Sequence, residues 1–286
     1  MKKSNNYVGI DISKLTFDVA ISGSDDKYKY FKFANNHEGF MMFLEHLKVS
    51  ESICVMEASG PYYLKLATFL SEQAIDVCVI NPLVIRRFSQ MRMSRAKTDK
   101  KDAMLIAEYG KTENPGIWKP EANHVLELKQ MQAYLEQLNK NRTGFVVQKE
   151  AFNQNPIKSE ALEKSINSVL ETIEQEMKNI EKKMELIIKT HHQEMFSQLK
   201  SIPGMGTKTS LLLIVISGGF SKFNNHKQLA SYVGISPRIF ESGTSVKGKS
   251  KICKMGMSKI RVLLYMCAWS AKRCNETCKA LYDRLL

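Results

Sequence analysis

Asp11, Glu57, Asp99 and Asp102 stand where packing alone does not account for a carboxylate. Asp11 interrupts the apolar run Tyr-Val-Gly-Ile-Asp-Ile, and Glu57 closes Ile-Cys-Val-Met-Glu. Asp99 and Asp102 stand close together in Lys-Thr-Asp-Lys-Lys-Asp-Ala, so a helix there puts both on one face. Four carboxylates gathered in one place repel one another unless a divalent cation neutralises them, and hard oxygen donors suit Mg²⁺ or Mn²⁺. The whole chain carries a formal net charge of +13, which favours a polyanionic partner. Acidic ligands within a basic chain imply metal-dependent phosphodiester chemistry on nucleic acid.

The candidate phosphate contacts form three groups. Arg86, Arg87, Arg92, Arg95, Lys97, Lys100 and Lys101 flank the acidic pair. Gly204 and Gly206, in Ile-Pro-Gly-Met-Gly-Thr-Lys-Thr, permit a tight turn whose amides could hold a phosphate at the start of a helix, as a helix-hairpin-helix turn does. A plain helix-linking turn would use the same residues. From Gly243 to about Ala271 there is no acid, while Lys247, Lys249, Lys251, Lys254, Lys259 and Arg261 fall in that span. So one-signed a segment repels itself unless it meets phosphates. Ser242 precedes Gly243 in the same polar loop; its hydroxyl is a candidate nucleophile, although serine before glycine is also common in turns.

Three regions position these residues. From Tyr7 to about Gly110 the pattern is α/β: strands at Tyr7–Ile12, Thr16–Ser22 and Tyr28–Ala34, a helix from Glu38 to Val49, an apolar strand at Ile53–Met56, a helix from Pro61 to about Gln73, and a strand at Ile75–Ile80. Ile53–Met56 shows no alternation, as a strand buried on both faces requires. Three strands, a helix, then strand, helix, strand is the order of a ribonuclease-H-like domain. That order makes the first and fourth strands neighbours and brings Asp11 to Glu57. In the middle third, Leu128, Met131, Leu135, Leu138 and Phe145 recur at helical spacing. After a turn at 152–156 the spacing resumes through Leu162, Ile166, Val169, Ile173, Met177, Ile180, Met184 and Ile187, predicting an antiparallel coiled-coil hairpin. On its own, such a hairpin is a dimerisation arm or a spacer. The last third, from about Ser201, is mostly helical. The predicted division is 1–112, 113–200 and 201–286.

Composition limits the classes. The chain has 286 residues, 43% hydrophobic and 25% charged, a globular balance rather than a disordered one. Its longest apolar stretch, Leu211 to Ser217, is too short for a bilayer, and the start lacks the apolar core of a signal peptide. The six cysteines have no regular spacing and no partners that complete a zinc site, as expected for free thiols in a reducing cytoplasm.

Taken in order, the motifs resemble one family. Gly-Ile-Asp-Ile-Ser-Lys with Phe-Asp-Val-Ala, Met-Glu-Ala-Ser-Gly-Pro-Tyr, Lys-Thr-Asp-Lys-Lys-Asp-Ala and Ile-Pro-Gly-Met-Gly are followed by Leu-Ala-Ser-Tyr-Val-Gly-Ile-Ser-Pro-Arg, Glu-Ser-Gly and Lys-Met-Gly-Met-Ser-Lys-Ile-Arg. Over nearly its whole length the chain is similar to transposases of the DEDD type, the insertion-sequence family related to the pilin-gene DNA invertases and known for bridge-RNA-guided recombination. The resemblance implies a RuvC-like amino-terminal domain, a coiled-coil middle and a carboxy-terminal transposase domain. It matches Asp11, Glu57, Asp99 and Asp102 to the family's metal-binding tetrad and Ser242 to its carboxy-terminal serine. It further implies donor and target DNA as substrates, a non-coding bridge RNA as guide, and a homo-oligomer (dimer or tetramer) as the working form. Met257 departs from the family, which more often has Asn there. Two other classes share some of these features: a RuvC-like structure-specific nuclease that uses water as its attacker, and a non-catalytic nucleic-acid scaffold.

Overall fold

The computed structural model describes residues 6–23, 27–49, 51–93, 98–239, 241–242, 246–248 and 251–285. It divides into two compact units, Met1–Pro120 and Glu121–Leu286.

The first unit is a mixed five-stranded sheet with helices. In chain order it contains β1 (Asn6–Ile12), β2 (Thr16–Ser22), β3 (Tyr28–Ala34), α1 (His37–Leu44), β4 (Ser52–Glu57), α2 (Tyr63–Glu72), β5 (Asp76–Ile80), α3 (Pro82–Met91) and α4 (Asp99–Glu113). The sheet order is β3-β2-β1-β4-β5. The first three strands form an antiparallel meander, whose first turn is closed by the Ser13 amide donating to the Thr16 carbonyl at 2.9 Å. β4 and β5 run parallel to β1, each reached through a helical crossover that returns the chain to the starting edge.

Alternation along the strands sorts the core into two faces. Val8, Ile10, Phe17, Cys54 and Met56 pack on one face with Phe40 and Phe43 of α1 and Leu66 and Leu70 of α2. Ile53, Val55, Cys78 and Ile80 meet Ile85 of α3 and Ile106 of α4 on the other. β4 is therefore covered on both sides, in line with its unbroken apolar run. α1 ends at Leu44, short of the predicted Val49. His46 and Leu47 instead donate to Phe43 and Leu44 at 3.0 Å, tightening the last turn so that Leu47 still reaches the core. α3 was not predicted; its start is set by Asn81, whose side chain accepts from the Leu83 amide at 2.9 Å, followed by Pro82 in the first turn.

The second unit is mostly helical. It contains α5 (Asn123–Asn153), α6 (Glu160–Ser201), α7 (Thr207–Ser217), α8 (His226–Val233), the short strands β6 (Pro237–Arg238), β7 (Glu241–Ser242), β8 (Val246–Lys247) and β9 (Lys251–Ile252), α9 (Ser258–Cys274) and α10 (Glu276–Leu285). α5 and α6 form an antiparallel hairpin, because their partners run in opposite numerical directions. Lys149 pairs with Glu163 at 3.7 Å, Arg142 with Glu174 at 2.8 Å, and His124 meets His192 at 3.1 Å. Leu128, Leu135, Ile180, Met184 and Ile188 close the seam against Leu211, Ile214 and Val215 of α7. The long helix α6 breaks at His192, where φ is −140° and ψ is 32°. α7 is buried from Thr209 through Ser217, so the longest apolar stretch in the sequence is a core helix. Among the described residues no helix is long and apolar enough to cross a membrane.

Candidate active site

The sheet face beneath α4 carries a row of charged residues running across the strands. Lys32 of β3 is the register partner of Asp18 of β2, and Asp18 is the partner of Asp11 of β1. β1 and β4 are paired in parallel up to Ile10 and Met56, so Asp11 and Glu57 follow at the same level on adjacent strands. Ser59, just past the end of β4, donates its hydroxyl to Glu57 Oε1 at 3.1 Å.

Asp99 and Asp102 reach this face because α4 lies directly on β1. A Cβ at Gly9 would sit 2.0 Å from the Ala103 carbonyl oxygen and 2.3 Å from the Ala107 amide, so only glycine admits the helix at that distance. Gly9 and Asp11 share one face of β1, and the first turn of α4 therefore projects toward Asp11. Thr98 caps that turn by accepting from the Lys101 amide at 3.3 Å. Two carboxylates in the first turn are favoured by the helix dipole. The dipole thus offsets part of the repulsion between this charge pair and the acids of the sheet face.

Electrostatics ties the four acids together. Burial, then the negative charges of Asp102, Asp99, Glu57 and Asp18, push the Asp11 carboxyl up from its ordinary 3.8 to about 6. A divalent hard cation would relieve that repulsion, and the donor set of carboxylate oxygens fits Mg²⁺ or Mn²⁺. Among the described residues, however, no three acidic, His or Cys side chains already converge tightly enough to cage an ion. The acids stand around Asp11 within the range of charge interaction.

The basic candidates are distributed unevenly. Arg86 and Arg87 are exposed on α3, with Arg87 donating to Gln90 Oε1 at 2.9 Å. Arg92 pairs with Glu108 of α4 at 2.8 Å and lies over the Phe88 ring at 5.2 Å, tying α3 to α4. Arg95 and Lys97 lie outside the described residues. In the second unit, Gly204 has φ +92° and its α-carbon packs on α9, where a Cβ would come within 2.7 Å of the Cys267 carbonyl and the Ala271 amide. That contact gives Gly204 a packing role. Gly206, where a Cβ would meet open space, stands at the start of α7. Ser242 lies in β7 paired with Val246 of β8. Lys247 follows in β8, Lys251 and Lys254 are exposed, and Gly243, Ser245 and Lys249 lie outside the described residues.

Residues 8–152 match a family model described as a transposase, and residues 197–283 match the transposase IS116/IS110/IS902 family. The chain is 34% identical to the pilin gene-inverting protein of Moraxella bovis, over 92% of this chain and 82% of that one. The same figures hold for the pilin gene-inverting protein of Moraxella lacunata. This chain belongs to the IS110 transposase family. A shorter match, 26% identical over 42% of this chain and 29% of the other, reaches an uncharacterized 43.6 kDa protein of insertion element IS110 in Streptomyces coelicolor. Membership makes the transposase an enzyme that acts on DNA.

One acidic residue of this transposase lies inside a quoted motif, Phe-Asp-Val-Ala, without a role assigned from the sequence. Asp18 is 4% exposed, beside Asp11 in the sheet. Tyr30 donates its hydroxyl to Asp18 Oδ1, and Lys32 lies 3.4 Å from Oδ2. The Asp18 bond, then burial, raise the Tyr30 phenol to about 12, so it stays a donor at neutral pH. The available signal was an acid inside the apolar strand Phe-Asp-Val-Ala, the same irregularity that marked Asp11.

Proposed function

We propose that this transposase cleaves and exchanges DNA strands using a metal-binding tetrad, Asp11, Glu57, Asp99 and Asp102, and Ser242 as the nucleophile. The observation that carries the reading is Asp11 held between Glu57 and Asp18 on the sheet, with Asp99 and Asp102 projected toward it from α4. An antiparallel three-stranded meander continued by two parallel strands supports a ribonuclease-H-like, RuvC-like catalytic domain. Mg²⁺ or Mn²⁺ bound there supplies charge neutralisation for the attacking and leaving oxygens of an in-line displacement.

This chain's own residues do the rest. The Ser242 hydroxyl gives up its proton as its oxygen bonds to phosphorus, and a backbone ester bond breaks to release a DNA hydroxyl. The phosphodiester energy is kept in a protein–DNA adduct that a second strand end can resolve. Lys251, Lys254, Arg86 and Arg87, all exposed, hold backbone phosphates, as does the open turn at Gly206. The functional division is a catalytic domain at 1–112, a coiled-coil arm at 113–200 that joins copies into a dimer or tetramer, and a transposase domain at 201–286. The family resemblance supports a bridge RNA as guide to donor and target DNA.

The test is strand cleavage and adduct formation with Mg²⁺, run beside a binding titration at fixed salt. Asp102→Ala should bind DNA like wild type yet cleave nothing; normal cleavage would remove the tetrad from the mechanism. Ser242→Ala should lose both the adduct and the recombined product, with Ser236→Ala as the control. Cleavage that persists in Ser242→Ala without an adduct would assign the attack to water.

A further inference from the structure

Asp18 is the fifth carboxylate of the cluster, and its surroundings exclude it from ligand duty. One of its oxygens accepts from Tyr30 and the other faces the Lys32 ammonium. The same ammonium lies 3.7 Å from Asp99 Oδ2, so a single cation spans a buried acid of the sheet and an acid on the first turn of α4. Lys100 adds to the same corner, its ammonium 5.6 Å from the centre of the Tyr30 ring. Lys32 is half-exposed, with room for its flexible stem to swing outward.

We propose that Lys32 is a positioning residue that acts as the resident counter-ion of the acidic cluster, held by Asp18, which Tyr30 in turn anchors. It neutralises Asp99 before a divalent ion arrives and gives up that place when the ion binds. The inference rests on the metal-site reading of Asp11, Glu57, Asp99 and Asp102. Its physical basis is simple. A monovalent ammonium beside Asp99 lowers the free energy of the metal-free site and repels an incoming divalent ion, and both effects weaken metal binding. Asp18 works through Lys32: by sharing the ammonium, it keeps Lys32 from resting fully on Asp99. Lys29 lies on the same strand but on the opposite face, and it carries the same charge without that geometry.

The experiment titrates Mn²⁺ into the full-length protein without nucleic acid, reading binding by calorimetry and by the metal-dependent rise in Tm. The series is wild type, Lys32→Met, Asp18→Asn, the double variant and Lys29→Met, with Lys32→Gln as the substitute if the methionine variant does not fold. Lys32→Met should bind Mn²⁺ about five-fold tighter, and Asp18→Asn about three-fold weaker. The Asp18→Asn loss should shrink in the Lys32→Met background, because no ammonium remains to be redistributed. Lys29→Met should match wild type. The inference is overturned if Lys32→Met binds like wild type or like Lys29→Met. It is equally overturned if Asp18→Asn costs the same in both backgrounds. A wild-type protein that takes up no Mn²⁺ sinks the metal-site reading itself, and this one with it.

Discussion

Asp11→Asn should make the metal-free protein more stable while abolishing catalysis. A carboxyl held at about 6 instead of 3.8 is costly to ionise in the folded state. At 1.36 kcal/mol per pKa step, the full cost at neutral pH is about 3 kcal/mol. Asp11 is only half-buried, and solvent screening reduces the figure to about 1–2 kcal/mol. For a group whose folded pKa is raised, its stability contribution is complete below 3.8 and lost as pH rises through about 6. Asparagine keeps the shape and removes the charge, so at about pH 7.5 in EDTA the variant should melt about 3–6 °C above wild type. At about pH 5, where Asp11 is mostly protonated, the difference should fall to about half. Differential scanning calorimetry at both pH values decides the matter. If Asp11→Asn melts below wild type at the higher pH, or the gap does not narrow at the lower, the carboxylates do not repel one another as described.

Three further outcomes follow from the packing. Gly9→Ala should cost about 3 kcal/mol, because the methyl group would meet the backbone of α4; a urea midpoint unchanged from wild type would refute the close approach. Ile188→Ala, at a position with no exposure, should lose about 2–5 kcal/mol by urea denaturation, whereas Leu186→Ala, 67% exposed, should fall within about 0.5 kcal/mol of wild type. Burial alone would raise the Glu121 pKa, but hydrogen bonds from Lys129 and Lys222 outweigh it and hold the carboxyl below its usual range. Glu121→Gln should therefore cost about 1–3 kcal/mol at neutral pH, and that difference should vanish as pH falls through the depressed pKa, as followed by thermal melts.

The residues that announced themselves in the sequence broke a local pattern. Asp11 and Glu57 interrupt or end apolar strands, and the unbroken run of β4 marked a strand covered on both faces. The hairpin was legible because long helices repeat their apolar spacing many times. What stayed hidden depends on the third dimension. Asp18 carries the same irregularity as Asp11, yet its meaning comes from register, since only pairing across β1 and β2 sets it beside Asp11 and faces it with Lys32. Gly9 reads as an ordinary strand glycine until α4 is placed on it. The close approach of α9 to Gly204 is likewise invisible in the sequence. α1 stops early because Leu47 reaches the core through a tightened turn, which no periodicity distinguishes from another helical turn.

The acidic cluster joins two kinds of backbone. Asp11 and Glu57 sit on adjacent strands in the interior of the sheet, β1 and β4, paired on both sides. Asp99 and Asp102 ride on the first turn of a helix, the part of any helix that frays most readily and whose leading amides lack partners within it. The cluster therefore rests on two supports, one half set by strand pairing in the sheet and the other by a single capped helical turn. Whatever settles on the cluster need not rebuild the sheet. It meets two of its four carboxylates on one helical turn.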